Sequence, residues 1–328
     1  MTDVPWYLYA GFLFFVVAML FVDLKLFHAE EHEPTTKESG TWVGIWITLA
    51  LIFGVVVYFW RGPTAAGQYF AGYLIEYSLS VDNMFVFVVI FGYFNVPRAY
   101  QHQVLFFGIL GALIFRGIFI GVGTALIHNF EWMIYVFGVF LIYTAYKIAT
   151  GHAEDIHPED NVVLKFAQKR FRTTTRFDGQ KLFTIENGKK VATPLFIVLL
   201  FIETTDIVFA VDSIPAIFAI TQDPFIVLTS NVFAILGLRA LYFLLAGAMY
   251  RLHLLKYGLG IILAFVGSKM LLEAVDVHVP IWLSLTIITT VLGGTAVLSL
   301  MTTPSADEAE DLEELRDVDP DGAQEDAS

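Results

Sequence analysis

Nine stretches of mostly apolar residues, each near the roughly 20 that a helix needs to cross a bilayer, run through this chain and dictate where it can fold. They are Trp6–Val22, Trp42–Trp60, Gln68–Tyr93, Gln103–Ile127, Trp132–Ala149, Thr193–Ile220, Phe225–Met249, Tyr257–Ala274 and Trp282–Met301. Of the 328 residues, 57% are apolar and 16% charged, which excludes an ordinary water-soluble enzyme and a disordered chain alike. Trp6, Trp42, Trp60, Trp132 and Trp282 fall at window edges, the depth at which amphipathic rings meet lipid headgroups. The expected fold is an all-α membrane protein of about nine transmembrane helices. Asp23 and Lys25 follow the first window, which lacks a basic leader and a small-residue cleavage site, so it reads as a span and not a cleaved signal. With no cysteine, the chain has no thiolate metal site, iron–sulfur cluster or dithiol chemistry.

Charge sets the orientation. Alternate connections receive fifteen Lys and Arg on one side and only Arg61 on the other, which predicts an external amino terminus and a cytoplasmic carboxyl terminus. Net charge is −13, concentrated in a tail from Ser305 to Ser328 that holds eleven acids and one base, Arg316. Nucleic acid is therefore not an expected partner; lipid is. The cytoplasmic linker 150–192 carries a β-hairpin signal around Asn187-Gly188. Gly151–Asp160 and His28–Glu33 are polar enough to catch a metal, but a solvated linker is the plainer reading of each.

A repeat lies under the apolar pattern. Aligning Val81-Asp82-Asn83 with Val211-Asp212-Ser213 also brings Glu76 onto Asp206, then Arg116 onto Arg239 and Lys147 onto Lys269, one helix further each time. The first unit is 66–149 and the second 193–274. Helices in 1–65, a ninth helix in 275–303 and the acidic tail 304–328 stand outside them. Each unit has three spans, so the second is inverted, the architecture of many secondary transporters.

Glu76, Asp82, Glu203, Asp206 and Asp212 all lie inside apolar windows. Each costs roughly 2.5–3.5 kcal/mol at the bilayer centre, so something must offset about 12–18 kcal/mol. One reading pairs them with the counter-charges Arg116, Arg239 and Lys269 and protonates the rest. The other is a cation site. Glu203 and Asp206 share a helix face, and Asn83 and Ser213 adjoin Asp82 and Asp212. The six-residue steps Glu76–Asp82 and Asp206–Asp212 turn about 240° in a continuous helix, so a shared site needs the backbone to unwind, with Gly72 and Pro215 as places for it. Oxygen donors without thiolates suit Mn²⁺, Mg²⁺ or Ca²⁺. Met84 is either a soft ligand or a packing residue. No nucleophile–base pair or phosphate loop is present, so no enzyme is expected.

At Glu76–Phe87, Thr193–Phe196, Phe201–Phe218 and Thr229–Phe243 the sequence resembles the TerC family of bacterial integral membrane proteins, in its Alx-like branch. That resemblance implies small inner-membrane exporters with inverted three-helix repeats, linked to manganese export, alkaline-responsive expression and tellurite resistance. Carried over by motif position, the acidic set is Glu76, Asp82, Glu203, Asp206 and Asp212, with Asn83 and Ser213 adjacent. The expected function is a secondary transporter that exports a divalent cation, foremost Mn²⁺, in exchange for protons, with no tightly bound cofactor. The alternative is a membrane scaffold of a tellurite-resistance or stress complex, docking through the tail and the 150–192 linker.

Overall fold

The computed structural model describes residues 4–27, 35–130, 132–150, 171–186, 188–245, 254–273 and 277–302; the side chain of Asp82 lies outside that description. So do His28–Glu33, Gly151–Asp160 and the acidic tail. Helices α1 (Trp6–Phe27), α2 (Thr36–Arg61), α3 (Pro63–Tyr93), α4 (Arg98–Asn129) and α5 (Met133–Ala149) precede a hairpin of β1 (Phe183–Glu186) and β2 (Lys189–Ala192). Then come α6 (Pro194–Phe218), α7 (Pro224–Leu236), α8 (Leu238–Leu245), α9 (Leu255–Glu273) and α10 (Ile281–Met301).

Local chemistry sets the helix ends. Thr35 and Glu38 form a reciprocal capping box at the start of α2. Its other end stops at Gly62, whose φ of 89° is open to glycine, and Pro63 then starts α3 where no N–H is needed. Asp223 caps α7 by accepting from the backbone N–H of Phe225 and Ile226. In the hairpin Phe183 faces Ala192 and Glu186 faces Lys189, with Gly188 at φ 72° in the turn.

Among the described residues, six helices are long and apolar enough to cross a membrane: α2, α3, α4, α6, α9 up to Leu272, and α10. Helices α7 and α8 pass that test only together and are bent by 41° at their junction, while Trp6–Val22 of α1 and all of α5 are shorter apolar segments. This is an all-α membrane protein. Trp6, Trp60, Trp132 and Trp282 remain exposed, as headgroup anchors must be.

Contacts among the described residues gather the helix ends into two groups. At one end Arg61 pairs with Asp223 at 2.5 Å, and Tyr9 and Trp60 pack edge-on against Phe225. At the other, Tyr100 meets Phe177, Tyr242 donates to Gln101 at 3.0 Å, and Ser299 accepts from the Leu254 N–H at 3.1 Å.

Between the ends α3 lies along α7, α4 along α6, and α5 along α9. Small residues permit this closeness. A Cβ at Gly72 would stand 2.9 Å from the Ser230 hydroxyl, and one at Gly108 3.2 Å from Ile202. In the α5–α9 seam, a Cβ at Gly267 would come within 2.8 Å of the Gly138 carbonyl oxygen. One helical repeat along the same seam, a Cβ at Gly260 would stand 3.7 Å from the Ala145 carbonyl oxygen.

Two expectations about backbone change here. Helix α3 runs unbroken through Gly72, because that glycine makes room for Ser230 and does not bend the chain. Helix α6 runs unbroken through Pro215, which sits in its last turn, so that any kink there re-aims only the few residues up to Phe218. The break occurs instead at Gly237, between α7 and α8.

Candidate functional site

Arg116 projects from the middle of α4 into a polar knot sealed from solvent, itself 2% exposed. Its Nη1 pairs with Glu76 Oε1 of α3 and lies 3.3 Å from Ser213 Oγ of α6 and 3.2 Å from Asn231 Oδ1 of α7. Its Nη2 meets Asp206 Oδ1 of α6 at 3.3 Å. Four helices, two from each half of the chain, thus converge on one guanidinium. Glu76, Ser213 and Asn231 are almost wholly buried, and Ser80 donates back to Glu76 at 3.4 Å.

The charges in this knot do not balance. One guanidinium faces two carboxyl groups, leaving one formal negative charge in excess when both are ionised. Among the described residues, Glu76 Oε2 and Asp206 Oδ2 are buried and have no hydrogen-bond partner, and neither has Arg116 Nε. An orphaned buried polar atom costs roughly 1–3 kcal/mol, and more when charged. The knot is therefore under-satisfied on both its cationic and its anionic sides.

The remaining acids take other positions. Glu203 lies one turn before Asp206, pressed against α4 where Gly111 has no Cβ; a methyl there would overlap its carboxylate oxygens, at 2.0 Å. Its Oε2 also has no partner among the described residues. Asp212 faces α5, where the Thr144 hydroxyl donates to it at 3.2 Å. The continuous helix explains the split, since six residues turn Asp212 about 240° away from Asp206. On the α3 side Asn83 is buried, and the side chain of Asp82 lies outside the described part. Met84 is 1% exposed within the main apolar core, a packing position. Arg239 and Lys269 are buried too, so neither is spent on lipid.

Glu76, Asp206 and Ser213 are thus brought together, whereas Glu203 and Asp212 each stand apart from that knot. Among the described residues, no group of three His, Asp or Glu side chains converges as a metal cage. Arg116 occupies the centre of the Glu76, Asp206 and Ser213 group. Two participants were not singled out by the acid pattern, Asn231 and Thr144. The signal for Asn231 was the Thr229-Ser230-Asn231 run, three polar residues inside an apolar window, all fully buried.

A helical membrane protein with an electronegative ion-pair knot sealed between its two halves is the class that fold and site define. The chain belongs to the Integral membrane protein TerC family, which it matches over residues 61–307. It is 50% identical over 295 residues to the uncharacterized membrane protein STKORF319 of Myxococcus xanthus, covering 90% of this chain and 92% of that one. It is 44% identical over 302 residues to Alx of Escherichia coli (strain K12), provisionally named a membrane-bound redox modulator, covering 89% and 94%. An uncharacterized membrane protein of Rickettsia bellii is 40% identical over 277 residues, covering 84% and 91%. No solved structure matches the chain.

Proposed function

We propose that this protein is a secondary transporter that moves a divalent cation, foremost Mn²⁺, out of the cytoplasm across the bacterial inner membrane. Protons are exchanged for the metal. The observation that carries the reading is the excess of carboxylate over cation in the Arg116 knot, with two buried carboxylate oxygens that have no partner among the described residues. Such an arrangement is costly unless a cation or a proton visits it. Glu76, Asp82, Asn83, Glu203, Asp206, Asp212 and Ser213 are the oxygen donors proposed to pass the metal along, an oxygen set suited to a hard divalent cation. Outward movement of a +2 ion against an inside-negative potential costs about 4.6 kcal/mol per 100 mV, so a coupled ion must drive it.

We read the bundle as nine spans with an inverted pair of three-helix units, the amino terminus outside and the carboxyl terminus in the cytoplasm. The cross-pairing of α3 with α7 and of α6 with α4, and the α5–α9 seam between them, supports this. So does the glycine pattern, because an offset of the second unit by 122 residues turns the Gly138–Gly267 approach into the Gly260–Ala145 approach. The name of Alx speaks of redox, yet with no cysteine this chain has no thiol–disulfide couple to serve that role.

Flux of Mn²⁺ into proteoliposomes under an imposed pH gradient tests the function. Asp82→Asn, Glu203→Gln and Asp212→Asn should fold, judged by thermal unfolding, and lose metal flux and its pH dependence. Full flux through well-folded variants would sink the transport site. Loss of the cellular phenotype on tail removal alone would then favour the scaffold.

A further inference from the structure

We propose that Arg116 is a tethered stand-in for the transported cation: it occupies the oxygens the metal uses and must be displaced from them for the metal to bind. This rests on the transport reading above and adds how the unloaded site is kept.

The argument starts from overlap. The acids and hydroxyl that would offer oxygen to a hard cation, Glu76, Asp206 and Ser213, are the same groups that hold the guanidinium. A metal and Arg116 cannot both take the centre. Arg116 stays charged at any physiological pH, so it leaves the site only by moving.

The contacts are those of a resident that can be exchanged. A structural Arg–carboxylate clamp uses two parallel N–H···O bonds. Here each carboxylate offers one oxygen and keeps the other without a partner among the described residues. Nη1 has three acceptors for its two hydrogens, Glu76, Ser213 and Asn231, whereas Nε has none among the described residues. The donors and acceptors are present in the knot but mismatched, which lowers the cost of trading one cation for another.

The stand-in also answers a need of the transport cycle. An empty site with two ionised carboxylates would have to change its exposure while carrying two uncompensated charges in a low-dielectric interior. With Arg116 in place only one is uncompensated, and the unloaded protein can return. Asn231 is then a positioning residue, anchored on α7 by its own bond to the Val227 carbonyl at 3.2 Å and holding the guanidinium in the vacant site.

Direct Mn²⁺ binding to the purified full-length protein in nanodiscs, read by the loss of the free-ion EPR signal, tests this without relying on flux. Arg116→Gln removes the competitor and should tighten Mn²⁺ binding by about tenfold or more, the scale of one unit charge removed a few ångströms away in a partly shielded interior. Asn231→Ala, which leaves the charge but loosens its hold, should tighten binding by a smaller factor and covers the case in which Arg116→Gln does not fold. Arg116→Lys should bind near the wild-type level. Wild-type binding with Arg116→Gln or Asn231→Ala binding equally or more weakly would overturn the stand-in and leave the transport reading intact. Absence of Mn²⁺ binding and flux in the wild-type protein would overturn the transport reading, and the stand-in with it.

Discussion

Replacing Gly267 by alanine tests how the two halves of the bundle are joined. The added Cβ would stand 2.8 Å from the Gly138 carbonyl oxygen, 3.0 Å from Ile142 and 3.1 Å from Leu141. Ordinary contact begins near 3.4 Å, so the seam must open by about 0.6 Å. A gap of that size forfeits about a quarter or more of the dispersion energy of each atom pair across it. Leu141 is fully buried at this point; with about half of a buried leucine's roughly 40–60 contacts of about 0.1–0.2 kcal/mol lying across the seam, its share of the loss is about 0.5–1.5 kcal/mol, and Ile142 adds a similar amount. Alanine returns up to about 1 kcal/mol through its better helix propensity. The expected net destabilisation is about 1–2 kcal/mol, with Gly267→Leu worse. Gly138→Ala, with its nearest contacts at 3.0 and 3.1 Å, should cost less, and Gly260→Ala, at 3.3 Å from a side-chain methyl, should be near neutral. Thermal unfolding of the purified variants in one detergent, followed by circular dichroism, gives the ranking. A Gly267→Ala protein as stable as wild type, or a Gly260→Ala protein equally damaged, would refute the idea that backbone proximity governs this seam.

Two further outcomes are expected. A reporter fused after Ser328 should read cytoplasmic and one inserted near Asp223 external; both on one side would break the odd span count per unit and the inversion with it. In the hairpin, the hydrogen bond from Thr184 and then the Lys181 ammonium hold the Asp178 carboxyl below the usual carboxylate range. A lowered value means that its contribution is complete above about pH 4 and fades as pH falls through the folded value. Amide exchange in β1 and β2 should therefore quicken only at strongly acid pH in wild type, and Asp178→Asn should exchange faster at neutral pH; an unchanged Asn variant would contradict the assignment.

Much of the fold was legible because apolar length is a blunt and reliable signal. The nine windows cover the ten described helices, with α7 and α8 sharing one window that was read as a single span, and Asn187-Gly188 marked a turn whose strands are present on both sides. The signals that failed were those that depend on neighbours. Gly72 and Pro215 look alike as helix breakers in one dimension, yet the first is a packing gap opposite Ser230 and the second stands too near a helix end to matter. Gly237 looks no different from them and is the residue at the actual break. The acids were found because charge inside an apolar run is conspicuous, whereas Asn231 and Thr144 are neutral, and only the approach of another helix shows what they hold.

The break at Gly237 sets the α7–α8 pair apart from the long helices around it. Helix α4, which carries Arg116, is one stiff strut of 32 residues, while α7 and α8, its opposite number, form a two-piece arm jointed at Gly237. Trp46 of α2 lies against that joint, with its Cβ 3.2 Å from where a Gly237 side chain would begin. Among the described helices that bent junction is packed by a tryptophan from α2. Helix α2, which contributes no side chain to the charged knot, in this way fills the inside of the joint, and a side chain at position 237 would have to displace Trp46.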